Sequence, residues 1–199
     1  MLLQFLKEND NMHRIARVMV NQVGMMIFAA IVTMTAASWQ DESLRQPMAL
    51  VASIFSIAFY FFLVFYAMRE EGSRDSVKIA GERLEYRPAY GLKIGLCATA
   101  PNYIFVLLML IGLAIGLETD ADGALLSVGG GGVWAVGYTV IQLLQSMYSG
   151  VLKALFAATG LDASMVAATV AYLLTPLVAP LAAYAGYVFG CKHPMRVKS

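Results

Sequence analysis

Two uncharged runs on either side of a charged loop constrain this chain more than any other feature. Met48 to Met68 and Ile94 to Leu117 contain no charged residue, and the stretch between them holds six of the chain's 14 Lys and Arg residues. An uncharged run of about 18 residues or more is long enough to cross roughly 30 Å of hydrocarbon as a helix. A helix also satisfies its own backbone hydrogen bonds, which lipid cannot do for it. The pair therefore reads as a transmembrane hairpin, and its basic loop places residues 69–93 in the cytoplasm. Two more runs, 18–38 and 164–190, have the same character.

Composition supports lipid as the solvent. Hydrophobic residues make up 59% and charged residues 14% of the chain, against about 45–50% and 25% in soluble domains. The excess is gathered into long runs, not spread at helical or strand spacing. A net charge of +1 argues against a nucleic-acid partner, which favours a strongly basic face. The expected partner is the bilayer, with a homo-oligomer or a transporter partner subunit as the protein contact.

The distribution of positive charge sets the topology. The segment 1–17 has three basic residues, the loop after the first run has one, loop 69–93 has six, and the tail 191–199 has three. The acidic stretch around Glu118, Asp120 and Asp122 has none. Positive charge gathers on the cytoplasmic side, so both termini are expected there, in a multi-pass protein of the cell membrane. An even number of crossings follows, and the spans 18–38, 48–68, 94–117 and 164–190 supply four. In the remaining stretch, 133–158, Val136, Val140, Leu143, Met147, Val151 and Leu155 recur at three- and four-residue steps. The glutamines and Lys153 largely avoid that stripe, which suggests an amphipathic or re-entrant segment on the outer side. Trp39 and Trp134 fall at the expected outer interface, where Trp is enriched. The fold class expected is all-α: a polytopic transmembrane helix bundle of about four spans plus this outer segment.

Two local features carry further expectations. Residues 1–17 read as an interfacial segment feeding the first span. Within the cytoplasmic loop, Ser76–Ala80 and Arg83–Tyr86 alternate about Gly81-Glu82, a pattern that suits a small β-hairpin.

The chemistry is defined mostly by what is missing. The four runs hold no Asp, Glu, Lys, Arg or His, the groups from which proton relays and ion-coupled pumps are built. There is no phosphate loop, no HExxH and no GxSxG. Asp120-Ala-Asp122-Gly123 resembles a fragment of a calcium loop but lacks the further ligands and terminal Glu. His13, His193, Cys97 and Cys191 follow no metal-ligand spacing. Neither a metal nor another cofactor is expected, nor a disulfide, nor an enzyme. What remains are polar groups within apolar stretches: Asn21, Gln22, Asn102, Tyr103, Gln142, Gln145 and Thr175. They are candidates for contact with a ligand or ion, framed by spans that Pro101, Pro176 and Pro180 break. The alternative role for them is hydrogen bonding between helices. Gly112 and Gly116, and Ala182, Gly186 and Gly190, have the four-residue spacing of small residues that lets helices approach closely. Kinked spans with amides and no charge suggest a non-enzymatic transport component. Small-residue ridges suggest an accessory or scaffold protein instead.

Overall fold

The computed structural model describes residues 9–38, 41–116, 130–161 and 164–194. Among these residues the regular structure is all helical. The helices are α1 (Asn9–Ala37), α2 (Glu42–Ala80), α3 (Tyr90–Gly116), α4 (Gly130–Leu144), α5 (Ser149–Thr159), α6 (Met165–Leu174) and α7 (Val178–Lys192). One-turn 3-10 helices, Ser146–Tyr148 and Thr175–Leu177, join α4 to α5 and α6 to α7. Four helical segments are long and apolar enough to cross a membrane: Asn11–Thr35, Ser43–Ala80, Tyr90–Ile115 and Met165–Lys192. The last is α6 and α7 taken together. The all-α architecture expected from the sequence is the one observed.

Large apolar side chains cover much of the outside, while small polar groups join apolar ones in the interior. Val20, Ile31 and Met34 of α1, Phe55 and Phe62 of α2, and Ile104 and Leu107 of α3 are exposed, while Ser53, Ser56, Thr99, Asn102 and Thr169 are buried. Large apolar groups outside and small polar groups inside are what hydrocarbon selects, since lipid rewards no apolar burial and leaves polar groups to one another.

The helix ends follow local chemistry. Ser164 caps α6, its hydroxyl accepting from the Ala167 N–H at 3.2 Å, the usual role of Ser at that position. Gly160 ends α5 at φ 68°, where glycine avoids the Cβ penalty of the left-handed region.

One sequence expectation is corrected here. Residues 76–80 are not a strand: α2 continues through them, and 39 residues make a helix about 58 Å long, far more than a bilayer core needs. Its end is a Schellman cap. Arg83 N–H bonds to Lys78 C=O at 2.9 Å and Glu82 N–H to Ile79 C=O at 3.0 Å, with Glu82 at φ 57°. The turn residues foreseen for a hairpin are thus the stop signal of a helix. Residues 9–17 form the opening turns of α1, continuous with the first span. Residues 1–8, Trp39, the acidic segment 117–129 and the tail residues 195–199 lie outside the described residues.

The chain divides into two compact units. The first takes residues up to Gly24, Ala58–Thr99 and everything from Leu177; the second takes Met25–Ile57 and Ala100–Pro176. Helices α1, α2 and α3 each contribute one end to each unit. The first and last described residues belong to the first unit, and both α4 and α5 belong to the second.

In the first unit α7 is the central helix. A Cβ on Gly186 would strike the Phe65 carbonyl and one on Gly190 the Arg69 carbonyl. The matched four-residue steps show α2 and α7 running in the same direction in backbone contact. Gly91 lies against Ala183 and Tyr187, and Gly95 against Pro180, so α3 packs antiparallel on the same helix. Ala182 is fully buried. In the second unit Gly112 lies against the Trp134 backbone and Gly137 against Phe105 and Met109, which sets α3 antiparallel to α4; Gly150 lies against Ala49 and Ser53 of α2.

Candidate functional site

Among the described residues, one pair of helices that is jointly long and apolar enough to span is sharply bent, and it lies in the second unit. Its two limbs, Gly131–Leu144 and Ser146–Thr159, meet at 84°. Gln145 at the corner leaves helical geometry (φ −116°, ψ 33°). Three side-chain hydrogen bonds pin the corner. Ser146 Oγ donates to the Met26 carbonyl of α1 at 3.1 Å. Ser53 Oγ of α2 donates to the Met147 carbonyl. Thr175 Oγ1, at the 3-10 break between α6 and α7, donates to Gln145 Oε1. A break in a helix frees backbone groups, and neighbouring helices and Ser/Thr side chains are what re-satisfy them in lipid.

Gln145 is only 1% exposed, yet its Nε2 has no hydrogen-bond partner among the described residues. A buried amide N–H without an acceptor carries a desolvation cost of about 1–3 kcal/mol. The corner therefore joins two broken helices through a polar side chain that retains an unused donor.

The structure also shows which face of this segment is inside. Of the expected apolar stripe, Val136, Leu143 and Leu155 are exposed and only Met147 is buried. The buried face is Gly137, Ile141, Gln145, Ser149 and Leu152. The stripe is thus an outward apolar surface, and the polar corner points in. Trp134 donates from Nε1 to Thr169 Oγ1 at 3.0 Å and stacks on Tyr138, with centroids 4.7 Å apart.

Of the seven polar candidates, Gln145 and Thr175 are brought together. Asn102 is buried in the second unit and Gln22 in the first, and neither lacks a partner. Asn21, Tyr103 and Gln142 are half-buried. Gly116 ends α3. Both cysteines are free thiols. Among the described residues no three His, Cys, Asp or Glu side chains converge to hold a metal.

The first unit holds a cluster of charged side chains that the sequence does not single out. Arg14 of α1 grips Asp75 of α2 with both terminal nitrogens, at 2.7 and 2.9 Å, and reaches Glu71 through Nε at 3.1 Å. Arg17 pairs with Glu70 at 2.6 Å and Glu71 at 3.4 Å. Arg74 adds Glu70 at 2.8 Å. Tyr187 of α7 donates to Asp75 at 3.2 Å, Tyr90 of α3 donates to Asn11 Oδ1, and the Arg14 guanidinium lies 5.3 Å from the Tyr90 ring centroid. Beside this cluster opens a cleft of about 230 Å³ whose lining includes Arg14, Asp75, Lys78, Glu85, Arg87 and Tyr90. None of the seven polar candidates lines it. The signal available in the sequence was helical spacing of opposite charges, Glu70 to Arg74 and Asp75 to Lys78, continuing past the apolar run.

No protein-family model, curated protein or solved structure matches this chain.

Proposed function

We propose that this multi-pass chain is a non-enzymatic transport component of a cell membrane, either a small oligomeric channel or the substrate-binding subunit of a larger transporter, with Gln145 at the solute contact. The observation that carries this reading is the buried Nε2 of Gln145 at a corner where two broken helices meet. Discontinuous helices that expose polar groups at their breaks are a recurrent way to bind solutes within a bilayer. An amide offers hydrogen bonds without a fixed charge, which suits a neutral solute or a partly dehydrated ion.

The accessory reading draws less support. It needs small-residue ridges free to meet a partner, and Gly112, Gly186 and Gly190 each lie against a helix of this same chain. Both termini are assigned to the cytoplasm by the same distribution of positive charge that orients the spans.

The test is function in a defined membrane. Wild type and Gln145→Leu are reconstituted into liposomes and assayed for flux of sodium, potassium, chloride, glycerol and urea, with thermal stabilisation by the same solutes read in parallel. The reading predicts that at least one solute is passed or bound by wild type and lost in the folded variant. A variant that matches wild type across the whole series, or a wild type that matches empty liposomes and is stabilised by none, overturns it.

A further inference from the structure

We propose that the cleft at the charged end of the first unit binds a phosphate-bearing anion through Lys78 and Arg87, a site separate from the Gln145 corner and independent of the transport reading. The charges lining the cleft divide into two groups. Deep inside, Arg14 and Asp75 neutralise each other, and the remaining capacity of Asp75 is taken by Tyr187. The rim differs. Lys78 Nζ stands 3.9 Å from Asp75, and Arg87 is 3.6 Å from Glu85. The two cations are 50% and 72% exposed, and pairs so exposed hold their side chains weakly. With the deep pair cancelled, the rim presents two cations against one acid, Glu85, which is itself free to swing into solvent.

The shape and the donors favour phosphate. At about 230 Å³ the cleft is smaller than the roughly 300–1,000 Å³ of drug-sized pockets, and so suits a headgroup-sized molecule. A guanidinium fork matches a phosphate with two parallel bonds, and a lysine adds a point charge. Leu84, Tyr90 and Tyr187 complete the lining. The same chemistry is offered by a soluble phosphomonoester and by a phospholipid headgroup. Lys78 is ten residues beyond Met68, about 15 Å further along α2, whereas the headgroup layer is about 5–8 Å deep on each side. The soluble source is therefore the expected one.

The experiment uses the full chain in two arms. In neutral detergent, glycerol 3-phosphate is titrated and binding read by thermal shift. In nanodiscs, phosphatidylglycerol is compared with phosphatidylcholine and retained lipid counted by native mass spectrometry. The proposal predicts saturable binding in the first arm, weakened about thirtyfold in Lys78→Gln/Arg87→Gln and unchanged in Lys192→Gln, a surface cation at the end of α7. Binding confined to the second arm with the same variant pattern assigns the site to a headgroup. No saturable binding in either arm, or equal weakening by Lys192→Gln, overturns the proposal. Melting temperatures of the variants without ligand separate lost binding from lost fold.

Discussion

Arg14 and Asp75, 61 residues apart in sequence, meet in a two-point ion pair at 2.7 and 2.9 Å. Their side chains are 10% and 3% exposed. The pair fastens the opening turns of α1 to the last turns of α2, past the end of the uncharged run. It explains why α2 remains helical through Ala80: Glu71 and Asp75 share one helix face, four residues apart, and α1 supplies the cations for both.

Removing one partner of a buried pair leaves the other charge without compensation, at a cost of about 3–5 kcal/mol. In Asp75→Ala, Glu71 still compensates Arg14 in part, so the expected loss in detergent unfolding is smaller, about 1–3 kcal/mol. Arg17→Gln removes a cation that is 42% exposed and is expected to cost about 0–1 kcal/mol. A ranking with Arg17 above Asp75 contradicts this account of the cluster.

Glycine contacts give a prediction with opposite signs at two sites. Gly186→Ala drives a methyl into the Phe65 carbonyl, while Gly24, midway along α1, has nothing within 4 Å. Overpacking of the first kind costs about 1–3 kcal/mol. Gly24→Ala is expected to be neutral or stabilising by up to about 1 kcal/mol, because alanine loses less backbone freedom in a helix. Thermal unfolding of the two variants side by side reads both signs.

The four apolar runs were legible because hydropathy is a property of each residue alone, and runs such as Met48 to Met68 need no partner to be read. The charged end was not, because it depends on pairing. Alternation at Ser76–Ala80 fits a strand, and only the contact of Arg14 with Asp75 decides for helix. The 133–158 stripe was seen, but periodicity does not say which face is inside. That is set by Ser53 and Thr175, which reach the corner from two distant places in the chain, and by Ser146, which reaches out from the corner to Met26 of α1. Of the polar candidates, the sequence supplied the names Gln145 and Thr175 but not their contact.

The pinned corner has a dynamic consequence. Ser53→Ala removes the donor to Met147, and Ser146→Ala the donor to Met26. Interhelical hydrogen bonds of this kind average about 0.6 kcal/mol in membranes, so each variant is expected to fold. Together they are expected to speed hydrogen exchange at residues 145–149 about threefold to tenfold, with exchange in α7 unchanged. Uniform acceleration along the chain, or none, speaks against a corner held by these bonds.

The start of α2 carries a pH response. Asp41 accepts from the Ser43 hydroxyl at 2.7 Å and the Ser43 N–H at 3.0 Å, and these bonds hold its carboxyl below the ordinary carboxylate range. A carboxylate depressed by folding adds stability that is complete above its unfolded pKa, about 3.8, and is lost as pH falls through the lower folded value. Protection of the amides at residues 43–46, taken relative to their intrinsic exchange rate at each pH, is expected to fall as pH drops below about 4. In Asp41→Asn, which keeps a capping oxygen, that pH dependence disappears.

The most direct test of the membrane reading is three-point accessibility in sealed vesicles, using a background in which Cys97 and Cys191 are replaced by Ser. Single cysteines are placed at His13, Leu161 and His193 and labelled with an impermeant maleimide. Four crossings, with α4 and α5 bent back within one unit, predict that His13→Cys and His193→Cys react from one side and Leu161→Cys only from the other. Labelling of His13→Cys and His193→Cys from opposite sides, or of all three from the same side, contradicts it.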